Sequence, residues 1–597
     1  MSGRSGRAPG RERGEVLGLQ SPPMAQVKPC KRRETVQAVF PDDRAFEGPA
    51  GTPLADFVLA AYPEPQVPAV AAIVDGGLRE LSFPLREDAE VRPVFLTDSE
   101  GIRIYTRSLS FLLAAAVHAL FPEARLIIDH SVPFGGYYCR VVRRPLFTVD
   151  ELARIEAHMR ELVRMDAPIV REEVPLAEAQ ARLRAQGLTN KAELLMQGGI
   201  GGMVPLYRLG QFEDYLFGPM VPSAGFLRWF ALAPYPRGFI LRFPRRERPT
   251  ELAPAEDYSA LLQVFEEYGH WLDLLGVYDA YTVNEAVRTG RMTELILVSE
   301  ALHNQRIARI AEMIAAHPSS PRLILIAGPS SSGKTTFTKR LAIQLLSLGL
   351  RPYPVSMDDY FLPRDEMARR GLTDFDDISA VEVPLFQRQM EELLVGKAVR
   401  LPRFDFATGH REEGSELKLK KDGILLVEGL HCLNPQLLPL GVEEQSFRIY
   451  ASALTQLNLD DHVRMSTTDT RLLRRVVRDA AYRGYTAEDT LRMWDNVRRG
   501  EKRFVFPHQG RADVMFNSAL VYEWNVLRSR AEPLLLQVRH PRLRLRAERL
   551  LDELRWFVPY PGEEIPATSI LREFIGGGIL AAYYPSPFER ATWRRET

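Results

Sequence analysis

Apolar and polar residues alternate in short runs over residues 35–96 of the chain. The alternation predicts β-strands at 35–40, 70–75 and 91–96. Between the first two strands, residues 53–62 have the apolar spacing of a short helix. The pattern therefore predicts a small α+β module.

A different pattern begins at Leu323. Five consecutive apolar residues, 323–327, predict a buried strand, and a glycine-rich loop separates this strand from a helical spacing of apolar residues that runs to Ser347. A second apolar run, 424–427, ends in the carboxylate of Glu428. The second strand is expected to lie beside the first, as in a parallel α/β sheet.

Two other stretches have apolar residues at helical spacing, and both are predicted to be helices. The first contains Ile296, Val298, Leu302, Ile307, Ile310 and Ile314, and the second contains Leu534, Leu535, Leu543, Leu550 and Leu554.

At 597 residues the chain is too long for one hydrophobic core, so several domains are expected. Residues 1–34 are rich in Gly, Arg, Pro and Ser, which predicts a disordered tail, and Met24 within it is an alternative start of translation. The changes in pattern divide the rest into modules at 35–97 and 98–245, a linker with helices at 246–320, an α/β domain at 321–527 and a helical extension at 528–597.

The composition narrows the classes of partner. Lys plus Arg equals Asp plus Glu at 77 each, so the charge balance gives no support to a nucleic-acid or membrane-surface partner. Cys30, Cys139 and Cys432 are too far apart in sequence to predict a disulfide framework or a zinc cluster. The longest apolar stretch, 111–121, is too short to span a bilayer. A cytoplasmic protein is expected.

The glycine-rich loop has the Gly-x4-Gly-Lys-Thr pattern that binds nucleotide phosphates. Its glycines allow consecutive backbone N–H groups to converge, and the following helix adds its positive N-terminal end. Lys334 would neutralise the outer phosphates of ATP, and the Thr335 hydroxyl would hold Mg2+. The candidate ATP-binding residues of the loop are Gly328, Pro329, Ser330, Ser331, Ser332, Gly333, Lys334, Thr335 and Thr336.

Two carboxylates stand where catalysis would need them. Asp358 follows a predicted strand at 354–357, and a phosphoryl acceptor requires a positioned base at such a strand end. Glu428 ends the strand expected beside the phosphate-loop strand and would face the Mg2+. A solvent-exposed acid at a strand end is the alternative interpretation of Glu428.

Four arginines, Arg471, Arg474, Arg475 and Arg478, share one face of a predicted helix. Such a stripe is often a salt-bridged solvent face. Downstream of a phosphate loop, a mobile lid that places guanidinium groups on the β- and γ-phosphates is the favoured hypothesis.

These motifs, with the segments 356–361, 374–376, 402–406 and 474–479, resemble the uridine kinase and phosphoribulokinase family over about residues 321–527. The resemblance implies a P-loop kinase fold with ATP as donor and Mg2+ as cofactor. It also implies roles for individual residues: Asp358 as general base, with Lys334 also catalytic, Glu428 and Thr335 on the metal side, Arg478 and Arg483 on ATP, and Asp376, Phe404, His410 and Arg475 at the acceptor.

The acceptor side departs from the pyrimidine-nucleoside kinases of that family. Phe404 stands where they have a Tyr, Gly409 stands where their substrate-side His would fall, and His410 follows one residue later. Tyr485 and Met493 replace an Arg and a Gln that help to recognise the nucleoside. The phosphoryl-transfer residues are present, while the recognition of the base is left open.

Residues 35–245 resemble the amino-terminal half of threonyl-tRNA synthetase, which implies a β-grasp TGS domain followed by an α+β editing-like domain. The synthetase editing domain carries a His-x3-His pair and a Cys-x3-His pair. Here those positions fall at Arg107, Phe111, Leu216 and Met220, so metal binding and hydrolysis of a mischarged tRNA are not expected. A scaffold or ligand-sensing role is predicted, and a hydrolase using other residues is the alternative.

The combined order of domains resembles the long bacterial nucleoside kinases. The leading hypothesis is an ATP-dependent nucleoside kinase acting on the 5'-hydroxyl. The alternatives are a kinase of a sugar phosphate or other small alcohol, and a TGS-containing nucleotide-dependent switch that binds RNA in translation. No Asn-Lys-x-Asp guanine-reading motif follows the phosphate loop, which disfavours a GTPase. The partner is therefore predicted to be a small alcohol rather than a membrane, and a homo-oligomer is compatible with the sequence.

Overall fold

A computed structural model of the protein describes residues 33–583, except 200, 257, 373–375, 406–407, 438–445 and 456. Residues 1–32 of the predicted disordered tail and the first two residues of the 374–376 segment fall outside this described part. The first module consists of β1 (Thr35–Val39), β2 (Ala45–Pro49), β3 (Thr52–Pro53), α1 (Leu54–Ala61), β4 (Ala69–Val74), β5 (Gly77–Glu80), β6 (Pro84–Leu85) and β7 (Ala89–Phe95).

Five strands of this module form one mixed sheet in the order β2-β1-β7-β4-β5. The helix α1 packs its buried face on Val36, Ala38 and Leu85, which gives the module its own core. Strands β1, β4 and β7 and helix α1 coincide with the predicted elements. The sequence analysis missed β2 and β5, because neither carries a buried side chain that would mark it.

The second module contains α2 (Ser99–Leu120), β8 (Arg125–Ser131), β9 (Gly136–Val142), α3 (Val149–Arg164), β10 (Val170–Pro175), α4 (Leu176–Ala185), α5 (Thr189–Gln197), β11 (Met203–Leu209), β12 (Phe212–Asp214), β13 (Ala231–Tyr235) and β14 (Gly238–Arg242). The strands form the sheets β13-β14-β9-β8 and β10-β11-β12. The apolar stretch 111–117 is buried in the middle of α2. None of the helices in the described part of the chain could cross a membrane.

Three helices connect this half to the next: α6 (Ser259–Leu275), α7 (Ala280–Arg288) and α8 (Met292–Ala315). In α8 the buried face includes Ile296, Ile307, Ile310 and Ile314, as predicted. Val298 is instead exposed, because the 3.6-residue period brings Ser299 and His303 onto the buried side.

The α/β domain contains β15 (Leu323–Ala327), α9 (Lys334–Ser347), β16 (Arg351–Ser356), α10 (Arg364–Arg369), α11 (Val383–Leu394), β17 (Ala398–Asp405), β18 (His410–Lys418), β19 (Gly423–Glu428), β20 (Ser446–Ser452), α12 (Thr467–Tyr482), α13 (Ala487–Phe504), β21 (Val514–Asn517) and α14 (Glu523–Leu535). The sheet order is β16-β19-β15-β20-β21, and every pair is parallel. The predicted parallel sheet, with the Glu428 strand beside the phosphate-loop strand, is therefore confirmed.

The last helices are α15 (Pro541–Leu554) and the short α16 (Arg572–Ile575). We expected this extension to pack on the α/β domain, and it also reaches the second module. Trp556 is 1% exposed, and its ring packs edge-on against that of Phe217 with 4.7 Å between the ring centroids. A Cβ on Gly198 would lie 2.2 Å from the Trp556 ring, so that position requires glycine.

A buried ionic cluster joins the second module to the segment that precedes α12. The Lys191 Nζ lies 2.6 Å from Asp214 Oδ1 and 3.1 Å from Asp460 Oδ2. The other oxygen of Asp214 lies 2.7 Å from His462 Nδ1. Each of these side chains is nearly or fully buried, so Lys191 pairs with Asp214 inside its own module and with Asp460 across the junction, where Asp214 also meets His462.

Replacing Trp556 by Ala tests the packing of the extension. We expect Trp556→Ala to lower the free energy of unfolding by about 3 to 5 kcal/mol, because a large buried ring leaves a cavity behind. Urea denaturation followed by circular dichroism measures the change. The control is Leu536→Ala, since Leu536 is 68% exposed. Equal effects of the two substitutions would contradict the packing described.

Candidate active site

The loop at 328–333 turns from β15 into α9 with a backbone that only some residues tolerate. Ser331 and Gly333 have φ of 58° and 83°, in the left-handed region. A Cβ on Gly328 would lie 2.0 Å from the carbonyl oxygen of Ala451, so the close approach of the neighbouring strand end requires glycine there. The loop delivers the first N–H groups of α9 into a concave turn, which is the geometry of an anion site.

Two buried arginines of α12 hold the loop by its carbonyl groups. Arg471 donates to the Ser330 carbonyl oxygen at 2.9 Å, and Arg474 donates to that of Ser331 at 3.5 Å. Arg471 pairs with Glu501 and Arg474 pairs with Glu523, all with side chains at most 1% exposed. Glu501 in turn accepts from the Ser330 N–H at 2.9 Å.

The lid hypothesis for the arginine stripe is therefore wrong for Arg471 and Arg474. They do share a face with Arg475, but their guanidinium groups are neutralised by buried carboxylates and support the loop from behind. Their partners Glu501 and Glu523 follow 30 and 49 residues later, and no local pattern in the sequence connects them.

The other arginines form a cluster around one carboxylate. Asp479 is fully buried and accepts from Arg475 at 3.1 Å and from Arg478 at 2.9 Å, and Arg483 lies 3.6 Å away. Arg475 also donates to the Ser330 hydroxyl at 2.9 Å. Burial and the neighbouring Arg478 lower the pKa of Arg483 to about 10. Three cations around one anion leave a positive cluster beside the loop, suited to phosphate oxygens.

Lys334, at the start of α9, folds back over the loop. Its ammonium group donates to the carbonyl oxygen of Pro329 at 3.1 Å. The hydroxyl groups of Ser331 and Ser332 are buried and have no partner in the described part of the chain. Among the described residues, both hydroxyl groups are therefore unpaired hydrogen-bond donors beside the turn.

Asp358 and Glu428 lie at the carboxyl ends of the adjacent strands β16 and β19. Burial raises the pKa of Asp358, while Lys334 and Arg483 oppose that shift. Asp358 Oδ1 is buried and has no hydrogen-bond partner among the described residues. Burial first, and the nearby Asp358 second, raise the pKa of Glu428 to about 7. Binding of a cation or of a proton would therefore stabilise each of these buried carboxylates.

The residues around Glu428 fit a magnesium ion that also binds phosphates. Glu428 Oε1 accepts from the Thr335 hydroxyl at 3.1 Å and from the Ser356 hydroxyl at 3.4 Å, so the donor atoms are all oxygen, which Mg2+ prefers. No group of three or more His, Cys, Asp or Glu side chains in the described residues could hold a metal alone. A metal here would need ligands from a substrate, as is usual for Mg2+ in phosphoryl transfer.

The predicted acceptor residues are brought together only in part. The Phe404 backbone N–H donates to Asp359, next to Asp358, at 3.1 Å. The side chain of Asp376 lies against Gly500, where an added Cβ would be 2.7 Å from the Asp376 Cβ. His410 is exposed, and its ring Nδ1 lies 3.1 Å from the Thr408 carbonyl oxygen in its own turn. No described contact joins His410 to Asp358.

The sequence analysis missed a histidine at this edge of the sheet. His431 follows Glu428 by three residues and is fully buried, and neither ring nitrogen has a partner in the described part of the chain. Burial lowers its pKa to about 4, although Asp377 opposes the shift. The sequence signal that could have indicated His431 is its position three residues after Glu428, at the end of the strand.

The four positions that correspond to the ligands of synthetase editing domains carry no metal-binding side chains. Arg107 donates to the Pro219 carbonyl oxygen at 2.8 Å, and Phe111, Leu216 and Met220 are buried in the apolar core. The former ligand positions have become part of the packing of the second module.

Comparisons with known proteins identify two kinds of protein that this chain resembles. Residues 323–522 match the model of the "Phosphoribulokinase / Uridine kinase family". Among curated proteins, the threonine–tRNA ligase of Laribacter hongkongensis is 37% identical over 224 residues, 35% of each chain. That of Polaromonas naphthalenivorans is 40% identical over 164 residues, 28% of this chain and 26% of the ligase. The chain thus spans about a third of the length of these relatives.

Among solved structures, a possible uridine kinase from Bacillus stearothermophilus is 19% identical with a TM-score of 0.26, over 36% of this chain and 98% of that one. A phosphoribulokinase from Rhodobacter spheroides is 16% identical with a TM-score of 0.24, over 33% of this chain and 70% of that one.

Replacing Glu428 by Gln tests the electrostatics of the site. Because the pKa of Glu428 in the folded protein is raised from 4.5 to about 7, its contribution to stability is complete below the lower value and is lost as the pH rises through the higher one. We expect Glu428→Gln to raise the thermal unfolding midpoint at about pH 8, with a smaller difference at about pH 5. Calorimetry without magnesium or nucleotide measures both.

The control is Glu416→Gln on the exposed β18, which should show no such dependence on pH. A difference between the wild type and Glu428→Gln that is the same at both pH values would contradict the raised pKa.

Proposed function

We propose that this protein is an ATP-dependent nucleoside kinase that phosphorylates a 5'-hydroxyl, since residues 323–522 match the phosphoribulokinase/uridine kinase family. The observation that carries the proposal is the meeting of Asp358, Glu428 and the phosphate loop at one edge of the parallel sheet. A phosphotransferase with an alcohol acceptor needs these three parts together.

The donor triphosphate binds in the loop from Gly328 to Thr336. The loop N–H groups take the phosphate oxygens, and Lys334 exchanges the Pro329 carbonyl oxygen for the outer phosphates. Arg478 and Arg483 stabilise the charge that develops on the transferring group. Thr335 and Glu428 would hold Mg2+, which supplies charge neutralisation between the last two phosphates.

Asp358 acts as the general base. Its buried, unpartnered oxygen accepts the proton of the acceptor hydroxyl, and its raised pKa makes it a better base than an exposed aspartate. The acceptor oxygen forms a bond to the γ-phosphorus as the bond from that phosphorus to the bridging oxygen breaks. The products are the phosphorylated alcohol, ADP and the proton held by Asp358.

The acceptor lies on the side of Asp376, Phe404, His410 and Arg475. His410 would have to leave its own turn to reach a substrate, and Tyr485 is half exposed, so a pyrimidine base is not the only guest compatible with this side. A sugar phosphate or another small alcohol is the alternative acceptor, and Arg475 would then be placed to bind the acceptor phosphate.

In this proposal residues 35–245 act as a scaffold. The four positions that hold ligands in editing domains are occupied by a backbone-bound arginine and three buried apolar side chains. Contacts from this half reach the segment just before α12 and α12 itself, where Arg103 pairs with Asp469 at 3.1 Å, and α12 carries arginines of the cluster. A TGS-type switch that binds RNA is the remaining alternative.

Asp358→Asn tests the base. We expect turnover to fall by about two to four orders of magnitude with little change in ATP affinity, because the carboxylate acts on the acceptor rather than on the donor. A coupled assay of ADP release measures turnover, and calorimetry measures ATP binding. The control is Asp422→Asn, whose side chain is exposed and paired with Arg351. Near-normal turnover of Asp358→Asn would contradict its role.

The same assay identifies the acceptor. A panel of nucleosides and sugar phosphates is expected to give ADP release that depends on the acceptor, with nucleosides preferred. Release with sugar phosphates alone would establish the alternative acceptor. ATP hydrolysis that no acceptor accelerates but that RNA stimulates would favour the switch instead.

A further inference from the structure

The C-terminal extension covers the start of α9 at the phosphate loop. A Cβ on Gly333 would lie 2.5 Å from Ile570 Cγ2, so this part of the extension is in contact with the loop itself. Lys339 of α9 donates to the Leu580 carbonyl oxygen at 2.7 Å and to that of Ala581 at 3.2 Å. We call residues 569–581 the strap.

One charged side chain of the strap enters the phosphate site. Glu573 Oε2 accepts from the backbone N–H of Thr336 at 3.1 Å. The first N–H of α9 that bonds within the helix turn is that of Phe337, which donates to Gly333. The Thr336 N–H is therefore one of the donors at the helix start that have no partner within the helix. A loop of this kind binds phosphate oxygens through such N–H groups.

The carboxylate of Glu573 thus occupies a donor that the loop would offer to a phosphate oxygen. A carboxylate at this place resembles a nucleotide phosphate, because it is negatively charged and accepts the same hydrogen bond.

Release of Glu573 does not require the strap to unfold. Ile570 and Phe574 are fully buried, and Phe574 packs beneath the Arg474 guanidinium at 5.0 Å, so the strap is fixed by these apolar groups. Glu573 itself is partly exposed, and a change of its side-chain rotamer would free the Thr336 N–H while the strap stays in place.

We propose that Glu573 is a resident competitor of the donor nucleotide, which must displace its carboxylate from the Thr336 N–H to bind. The inference rests on the proposed function, since it requires a nucleotide phosphate in the loop. It assigns to the strap the control of donor affinity, in addition to its packing.

The test is the affinity of the full chain for ATP with magnesium, measured by calorimetry. We expect Glu573→Gln to bind ATP about two- to tenfold more tightly, since one like charge is removed from the helix start, and Glu573→Ala to gain at least as much. The matched control is Glu563→Gln, on an exposed residue of the same extension, which should bind as the wild type does.

A purely structural cap gives the opposite pattern. If Glu573 only stabilised α9, its removal would lower the thermal midpoint and leave the affinity equal or weaker, and that result would overturn the inference. If the Gln and Ala variants fail to fold, Glu573→Asp decides: it keeps the charge but shortens the reach, so tighter binding supports competition and unchanged binding overturns it.

The experiment separates a failure of the strap inference from a failure of the proposed function. Variants that bind ATP no more tightly than an active wild type overturn the strap inference alone. If neither the wild type nor any Glu573 variant binds ATP, the nucleotide site itself is wrong, and both proposals fall.

Discussion

Two buried guanidinium groups fix the shape of the phosphate loop. Arg471 and Arg474 hold loop carbonyl oxygens and are neutralised by Glu501 and Glu523. Removing one partner of such a buried pair costs about 3 to 5 kcal/mol, because the remaining charge is left uncompensated. Long-range ion pairs, and not the glycines alone, therefore define the backbone of the loop.

The charges at the open edge of the sheet are arranged in two groups that a substrate would join. On one side lie Asp358 and Glu428, where burial first and the nearby Asp358 second raise the pKa of Glu428 to about 7. On the other side three arginines surround Asp479. A metal-bound triphosphate brings positive charge to the first group and negative charge to the second, so both gain when it binds. This complementarity is the physical basis of the proposed phosphoryl transfer.

Local sequence predicted the parts of this arrangement that depend on neighbours along the chain. The phosphate loop, its strand and helix, and Glu428 at the end of an adjacent strand follow from residue type and period. The burial of Arg471 and Arg474 did not, since their partners come from other helices. Neither did the contact of Glu573 with the Thr336 N–H, 237 residues away. Helical spacing identifies a shared face, but only the tertiary fold decides whether that face meets solvent or core.

The ionic cluster of Lys191, Asp214, Asp460 and His462 makes the two halves of the chain depend on each other. The order of segments in the sequence does not indicate this dependence. Each half contributes buried polar side chains that meet across the junction. A recombinant fragment that begins at the phosphate loop would leave Asp460 without Lys191 and His462 without Asp214, and one that ends before the loop would keep the Lys191–Asp214 pair but lose both of its partners from the other half. Either fragment would therefore leave unpaired the polar groups that the intact chain pairs across the junction, and a replacement for the α/β half would have to present a matching surface.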